Sequence, residues 1–252
     1  KGPSIIYGDT DSVYFSAYES LKSDIDAGKI PWTNDSVVQL YDSVAEEVNK
    51  SFPTYMRQAF NCPPTYGKII AGGRELVGSK GLFITKKRYA IKIYDLEDEK
   101  VDKIKAMGLD LKRSDTPGYI QNFLSDILDK VLTGTQEEDI MNFIADFRLE
   151  FKKRPGWEKG SPRRVNKLTE YHSREKRKGK VNMPGHVRAA INWNTLKKVY
   201  NDRYSMDIID GQKCIVCKLK HNPMGYTSIA IPTDELRVPE WFKELPFDDA
   251  EM

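Results

Sequence analysis

The stretch Ser4-Ile5-Ile6-Tyr7-Gly8-Asp9-Thr10-Asp11-Ser12-Val13-Tyr14-Phe15 places two aspartates between two runs of strand-forming residues. Gly and Asp favour turns, whereas Ile, Tyr, Val and Phe favour strands, so the stretch predicts a β-hairpin with both carboxylates at its turn. Two carboxylates about 4 Å apart repel by roughly 4 kcal/mol at an effective dielectric near 20. Proteins tolerate such a pair when a cation lies between the carboxylates or when one of them keeps a proton.

Asp9 and Asp11 are therefore candidate ligands of a hard divalent cation. Magnesium prefers oxygen ligands and usually binds through one or two carboxylates together with substrate phosphates. That arrangement is typical of two-metal phosphoryl transfer. The alternative is an ordinary turn in which both aspartates are structural. The strand-forming residues on both sides favour the metal site over that alternative.

The rest of the sequence predicts an α+β protein with a domain boundary near residue 110. In the first part, apolar spacing predicts a helix over 35–58 capped by Asn34, Asp35 or Ser36, and strand-forming residues return over 68–94. In the second part, Thr116-Pro117 predicts the start of one helix and Thr135 to Glu138 a capping box for the next. A further helix is predicted over 185–200, with strands over 213–219 and 227–231.

Charge is distributed unevenly along the chain, although the net charge is only +3. Residues 152–180 contain twelve Lys and Arg against three Glu, and residues 234–252 contain seven acidic residues against two basic ones. The basic stretch has no apolar periodicity and predicts a loop or an irregular excursion. It favours a polyanion such as nucleic acid as partner, the alternative being a solvated charged loop. No apolar run approaches the roughly 20 residues of a membrane span.

Several segments together resemble the family B DNA polymerases. Residues 7–12 (YGDTDS) resemble the motif C hairpin of that family. AGGRE at 71–75, GSKG at 78–81 and KKRYA at 86–90 follow in the order and spacing of the family. MGL at 107–109 with SDTP at 114–117 resembles the palm-to-thumb junction of the T-even-type phage enzymes, and NPMG at 222–225 resembles a late thumb segment.

The resemblance implies a C-terminal fragment of a DNA-directed DNA polymerase that acts in DNA replication. Residues 1–110 would form part of the palm, an antiparallel sheet with packed helices. Residues 111–252 would form a mostly helical thumb with the basic loop 152–180 and an acidic C-terminal tail. Asp11 would ligate Mg²⁺, with Asp9 as a lesser contributor, in a two-metal site completed by residues outside the chain. The implied partners are primer–template DNA, deoxynucleoside triphosphates and the N-terminal half of the polymerase, in an intracellular setting (the host cytoplasm for a phage protein).

DNA-binding residues are expected in three places. A strand over 83–94 would present the primer-binding residues Lys86, Lys87, Arg88 and Tyr89 on alternate faces, with Lys87 reaching the minor groove near the primer end. The alternative is an edge strand whose lysines prevent aggregation. Gly78, Ser79 and Lys80 would form a loop whose amides can approach a phosphate. Duplex phosphates would be contacted by Arg163, Arg164, Lys167, Lys176, Arg177 and Lys178. Glu75 would either approach the active centre or pair at the surface with Arg74 or Lys80.

The family places its motif A aspartate and its triphosphate-binding lysine before motif C. We therefore expect that this chain alone cannot extend a primer, and that it is a split subunit, the product of an intein- or intron-interrupted gene, or a partial sequence. A sliding clamp is a further candidate partner, although the chain ends without the hydrophobic clamp-binding tail of T-even-type enzymes. Two rival functions are a non-catalytic DNA-binding subunit with a structural Asp-x-Asp turn, and a nucleotidyl cyclase-like palm. The latter gives no reason for the KKRYA segment.

The cysteines at 214 and 217 are predicted to have a structural role. Cys214 and Cys217 lie in a predicted strand, where an offset of three places their side chains on opposite faces, so one zinc ion could not bind both. They are predicted to be core cysteines. His172 and His186 are assigned no catalytic role.

Overall fold

The computed structural model describes residues 4–179 and 181–248, and these residues form a mixed α+β protein, as the sequence predicted. They divide into a first unit that ends at Leu109 and a second unit that begins at Asp110. Residues 1–3, Lys180 and residues 249–252 lie outside the described residues, and so do parts of the expected basic loop and acidic tail. Within the described ranges, no helix is both long and apolar enough to cross a membrane.

The first unit contains a β-hairpin, a three-stranded sheet and three helices. Its elements are β1 (Ile5–Gly8), β2 (Val13–Phe15), α1 (Tyr18–Asp26), α2 (Asn34–Phe60), α3 (Pro64–Gly67), β3 (Leu76–Thr85), β4 (Arg88–Leu96) and β5 (Glu99–Met107). β1 and β2 pair antiparallel, with Tyr7 opposite Tyr14 and Gly8 opposite Val13. The predicted hairpin is therefore confirmed.

β4 is the central strand of an antiparallel sheet with the order β3-β4-β5. Its alternate residues Tyr89, Ile91 and Ile93 are buried and form the centre of a small core. β5 was not predicted, because five of its nine residues are charged. The turn that leads into β5 contains no glycine either. Glu97 and Asp98 both adopt positive φ there (50° and 68°), as a type I′ hairpin turn requires of its two central residues.

Helix α2 covers the predicted range, but its cap lies one residue earlier than predicted. Thr33 is the cap: its hydroxyl oxygen accepts a hydrogen bond from the Ser36 amide, and the Ser36 hydroxyl accepts one from the Thr33 amide. This reciprocal capping box satisfies two amides that a helix leaves without partners at its N-terminus. Asn61, in the left-handed conformation, ends the helix.

The second unit contains a helical hairpin followed by a sheet with further helices. Its elements are α4 (Gly118–Thr133), α5 (Glu137–Lys153), β6 (Ser161–Arg164), α6 (Leu168–Lys178), α7 (Gly185–Val199), β7 (Lys213–Lys218), β8 (Ser228–Pro232) and α8 (Glu240–Lys243), with short 3₁₀ turns at Asp110–Lys112 and Gly156–Glu158. The predicted α7, β7 and β8 are confirmed.

Two predicted helix caps are wrong. α4 begins after Pro117 and α5 after Gln136, and neither cap residue makes a side-chain hydrogen bond. The Thr116 hydroxyl donates instead to the carbonyl of Asp110 at 2.8 Å. The two helices pack through stacked aromatic rings, of which Phe123 and Phe147 have centroids 3.6 Å apart. Aromatic packing therefore holds the two helices together, whereas the predicted side-chain caps are not formed.

The core of the second unit lies between α7 and the antiparallel sheet β6-β7-β8. Trp193 and Phe242 are completely buried in it, and so are Cys214 and Cys217. Burial raises the pKa of both thiols to about 12, so both cysteines are uncharged core residues, as the sequence predicted.

The prediction that residues 152–180 form a loop is wrong. Ser161 to Arg164 pair with β7 as an edge strand, and Leu168 to Lys178 form a helix. The carboxylate of Asp210 accepts hydrogen bonds from the amides of Leu168 and Thr169 at the start of that helix. A cap supplied by a residue about forty positions away leaves no local sequence signal.

Candidate active site and nucleic-acid interface

The aspartate turn, residues 9–12, connects β1 to β2. The amide of Asp9 donates to the carbonyl of Ser12 at 2.9 Å and closes the turn. Oδ1 of Asp9 accepts a hydrogen bond from the amide of Thr10 at 3.0 Å. This hydrogen bond lowers the pKa of Asp9 against a small opposing effect of burial, and Lys87 and Tyr7 lower it further. Asp9 is therefore a carboxylate at neutral pH. Asp11 is exposed at the same turn.

Four aromatic rings, here called the aromatic seat, hold the hairpin against the β3-β4-β5 sheet. Tyr7 and Tyr14 come from the hairpin, whereas Phe83 and Tyr89 come from β3 and β4. The ring of Tyr89 lies 5.4 Å, between centroids, from each of the other three. The hydroxyls of Tyr14 and Tyr89 are 3.2 Å apart. Burial is the main cause that raises the pKa of Tyr89, and the hydrogen bond with Tyr14 raises it further. This buried phenol therefore stays neutral.

Lys86 and Lys87 form the turn between β3 and β4, and the prediction of a continuous strand over 83–94 is wrong at this point. Lys87 has φ of 59°, so the expected alternation of faces from Lys86 to Tyr89 does not apply. The amide of Lys87 donates to the hydroxyl of Tyr7 at 3.2 Å, and its Nζ lies 3.7 Å from Oδ2 of Asp9. Arg88 begins β4 with an exposed side chain. The Lys86–Lys87 turn therefore places the ammonium group of Lys87 beside the aspartate turn.

Gly108, which follows directly after β5, packs against the Lys86–Lys87 turn. Its φ is +64°, and a Cβ built there would lie 2.1 Å from the carbonyl oxygen of Lys87. Glycine adopts this conformation without strain, and only glycine permits so close an approach. The MGL segment thus has a structural role in holding the turn beside the aspartates.

Gly78, Ser79 and Lys80 lie within β3, so the prediction that they form a loop is wrong. The pairing with β4 shifts register on both sides of Gly78. A Cβ on Gly78 would lie 2.3 Å from Cγ2 of Ile91, so glycine is needed here for β3 to pack on β4. Close strand packing explains this glycine without any bound phosphate.

A cleft of about 720 Å³ lies next to the hairpin and is lined by both Asp11 and Glu75. Residues 78–81 of β3 line it as well. Glu75 pairs with Lys105 of β5, with Nζ 2.6 Å from Oε1. The predicted alternative, a surface ion pair of Glu75 with Arg74 or Lys80, is therefore wrong. Burial disfavours the charged form of Lys105, but its contacts with Glu75 and Tyr14 outweigh this and raise its pKa.

The sequence of the chain matches the model of a known protein family. The family model described as DNA polymerase family B matches residues 72–209, which is more than half of the chain. The chain belongs to DNA polymerase family B. The resemblance to this family is thereby confirmed, although the matched range begins after the aspartate turn, whose assignment to motif C stays a prediction.

Two curated polymerases are similar to nearly the whole chain. The DNA-directed DNA polymerase of Enterobacteria phage T4 is 25% identical over 248 residues, and that of Escherichia phage RB69 is 27% identical over 240 residues. Each match covers 91% of this chain but 26% of the relative. This chain therefore spans about a quarter of the length of these relatives.

The two carboxylates of the aspartate turn fit a magnesium ion but do not complete its coordination. Asp9 and Asp11 offer carboxylate oxygens, which suit Mg²⁺ better than nitrogen or sulfur ligands do. Across residues 4–179 and 181–248, no three acidic, histidine or cysteine side chains lie together in a metal-binding arrangement. Further oxygen ligands would have to come from substrate, solvent or other parts of the polymerase.

The basic residues expected to contact duplex phosphates fall into two groups. Arg163 pairs with Asp115 at 2.9 Å, and Arg164 donates to the carbonyl of Gly211 at 2.8 Å. The hydrogen bond from Arg113 is the main reason that the pKa of Asp115 falls to about 2, and Arg163 contributes to the shift. The other residues belong to α6 and its cap and have exposed side chains: Lys167, Lys176, Arg177 and Lys178.

Sequence reasoning missed the ion-pair network around Arg74. Its side chain is only 6% exposed and contacts three carboxylates, of Asp42 on α2, Asp95 on β4 and Asp98 in the following turn. Burial disfavours the cation, but Asp42 and Asp95 outweigh this and raise the pKa of Arg74. One signal was present in the sequence: Asp95 occupies the inward-facing position that Ile91 and Ile93 occupy earlier in β4.

Proposed function

We propose that this chain is the part of a family B DNA-directed DNA polymerase that carries a metal-binding aspartate and the primer-binding surface. Residues 1–110 would belong to the palm and residues 111–252 to the thumb. One observation carries the proposal: the aspartate turn and the Lys86–Lys87 turn meet, although they are almost eighty residues apart in sequence. They are joined by the 3.2 Å hydrogen bond from the Lys87 amide to the Tyr7 hydroxyl and the 3.7 Å approach of Lys87 to Asp9.

The proposed reaction is nucleotidyl transfer from a deoxynucleoside triphosphate to the 3′-hydroxyl of a primer, directed by the template. Asp11, assisted by Asp9, would hold magnesium, which when bound compensates the phosphate charge and lowers the pKa of the attacking hydroxyl. The aromatic seat fixes the position of the two carboxylates. Because little covalent chemistry falls to the protein in such transfers, positioning and charge compensation are its main contributions.

The exposed cations of the chain would bind the DNA. Lys86, Lys87 and Arg88 surround the tip of the β3–β4 hairpin, so they would lie along the primer strand close to the aspartates. Minor-groove acceptors are similar in all base pairs, so Lys87 could bind there without reading sequence. The exposed residues of α6 would contact duplex phosphates, and such contacts do not depend on sequence.

Primer extension with and without the remainder of a polymerase tests the proposal. We expect no extension by the 252-residue chain alone, because its described residues do not complete a metal site. We expect magnesium-dependent extension when the same residues are part of a complete family B polymerase. Extension by the chain alone would show that the missing ligands are misassigned. If a complete polymerase that contains these residues did not extend the primer, the proposed function would be contradicted.

Loss of two lysines in the last turn of α6 should make DNA binding less sensitive to salt. In the complete polymerase, Lys176→Ala with Lys178→Ala should reduce the slope of log Kobs against log salt by about two, since each phosphate contact contributes roughly 0.9. Fluorescence anisotropy with a labelled primer–template at several salt concentrations measures this slope. The matched control is Lys22→Ala with Lys103→Ala, two exposed lysines outside the proposed interface. An equal slope for both double variants would contradict the phosphate contacts.

A further inference from the structure

The second half of α6 has no apolar side chain with which to pack on the rest of the second unit. Leu168 is buried at the start of the helix and Tyr171 packs against the core, but residues 173–178 (SREKRK) are all polar or charged. Among these six residues, only Glu175 is not exposed. A helix of eleven residues is marginal in water without tertiary contacts, so its last turns need such a contact to stay ordered.

Arg188 of α7 supplies a tertiary contact at this place. Its Nη1 donates to Oε1 of Glu175, and its Nη2 donates to the carbonyl of Val181 at 3.1 Å. The side chains of Arg188 and Glu175 are 29% and 26% exposed, so water and salt screen this ion pair less than one at the open surface. The planar guanidinium therefore joins α7 both to α6 and to the segment that follows α6.

The first turn of α6 is held independently of Arg188. The carboxylate of Asp210 accepts the amides of Leu168 and Thr169, and the side chain of Leu168 is buried in the core. Loss of the ion pair between Arg188 and Glu175 would therefore leave the first turn in place and free the last turns. The consecutive cations at 176–178 belong to those last turns.

We propose that Arg188 and Glu175 are positioning residues for DNA binding, because their ion pair orders the basic end of α6, residues 176–178, along the phosphates of the duplex. This inference rests on the proposed function, since it concerns the phosphate contacts assigned there to α6. Neither Arg188 nor Glu175 would touch the DNA. Cations on an ordered backbone bind phosphates more tightly, because less conformational entropy is lost on binding.

Glu175 affects DNA binding in opposite directions through its charge and through its position. As a carboxylate next to three cations it repels phosphates, so its charge alone weakens binding. As the partner of Arg188 it keeps the same cations ordered, which strengthens binding. Neutralising Glu175 separates the two effects, since the change increases the attraction between charges but removes the hold on the helix.

Glu175→Gln in the complete polymerase tests the proposal. It should weaken binding of a labelled primer–template about fivefold and lower the slope of log Kobs against log salt by about one, although it removes a negative charge. Fluorescence anisotropy at several salt concentrations measures both quantities. The matched control is Glu170→Gln, because Glu170 pairs with Arg174 of α6 itself, and it should bind DNA at least as tightly as the wild type. Wild-type affinity in Glu175→Gln, or an equal loss in Glu170→Gln, would overturn the proposal.

Combining Glu175→Gln with Arg188→Gln adds a test at constant net charge. The double variant lacks one anion and one cation, so its net charge equals that of the wild type. Its affinity should fall about as far as that of Glu175→Gln alone, since both substitutions remove the same contact. If Arg188 contacted a phosphate directly, the double variant would bind much more weakly than Glu175→Gln, and the positioning role would be wrong.

Hydrogen exchange without DNA separates this proposal from the proposed function. In Glu175→Gln, the amides of residues 176–179 should exchange about tenfold faster while those of α7 are unchanged. Faster exchange throughout the second unit would indicate general destabilisation and would overturn the proposal. If exchange is as expected but Lys176→Ala with Lys178→Ala leaves the salt slope unchanged, the phosphate contacts of the proposed function fail and the hold of Arg188 on α6 stands. If the lysine variant lowers the slope but exchange in Glu175→Gln is unchanged, only the positioning role fails.

Discussion

Replacing Asp11 with Asn in a polymerase that contains this chain should reduce primer extension about a thousandfold while primer–template binding is retained. Asn has nearly the same shape as Asp, so the turn should keep its conformation. What is lost is one negative charge facing the cleft that Asp11 shares with Glu75. A charge interaction at about 4 Å is worth roughly 4 kcal/mol in an effective dielectric near 20, which corresponds to about a thousandfold in rate.

Asp11→Asn should change the rate of extension but not the affinity for primer–template. Single-turnover extension measures the first, and anisotropy with a labelled primer–template measures the second. A non-catalytic DNA-binding subunit, in which the aspartates only shape the turn, predicts that both are unchanged. Asp26→Asn, an exposed aspartate at the end of α1, is the matched control for loss of one negative charge. Asp11→Asn with more than half of the wild-type rate would favour the non-catalytic subunit.

Asp9→Asn should have a smaller effect than Asp11→Asn. The carboxylate of Asp9 already has partners within the chain, namely the Thr10 amide and, at 3.7 Å, the ammonium of Lys87. These contacts use part of its capacity to bind a metal ion. The resemblance to family B polymerases likewise implies that Asp11 is the main metal ligand and Asp9 a lesser contributor.

The hairpin could be predicted because every feature that specifies it is local. β-branched and aromatic residues flank the turn, and turn-forming residues occupy its centre. The same is true of α7, β7 and β8, whose apolar residues are concentrated in short local stretches. The two aspartates were therefore identified correctly as neighbours at one turn.

The surroundings of the aspartates could not be predicted, because they depend on contacts distant in sequence. Lys86-Lys87 carries no turn signature, and Lys87 takes a positive φ that glycine or asparagine usually adopts. Gly108 makes room for this turn from the end of β5, a strand too rich in charge to be recognised. The approach of Lys87 to Asp9 and the pairing of Glu75 with Lys105 both follow from the sheet that these residues build together.

Removing the guanidinium of Arg74 should destabilise the first unit by about 3 kcal/mol or more. Arg74→Met would leave Asp95 as a charge without its partner at a site that is only 5% exposed. An uncompensated buried carboxylate is costly, and the loss of two further contacts would free α2 and the β4–β5 turn from the sheet. Hydrogen exchange of the β4 amides in the complete polymerase measures the change as opening of this unit, and exchange should become at least about a hundredfold faster.

Two further variants show whether the buried charge is the cause. Arg74→Lys should also be destabilised, because a single ammonium cannot reproduce the planar fork with which a guanidinium contacts several carboxylates. Arg74→Met combined with Asp95→Asn should recover part of the loss, since no charge is then left buried without a partner. Arg57→Met, an exposed arginine in the last turn of α2, controls for the loss of a positive charge. If the double variant is as unstable as the sum of the single ones, the network stabilises the unit through its shape and not through compensation of the Asp95 charge.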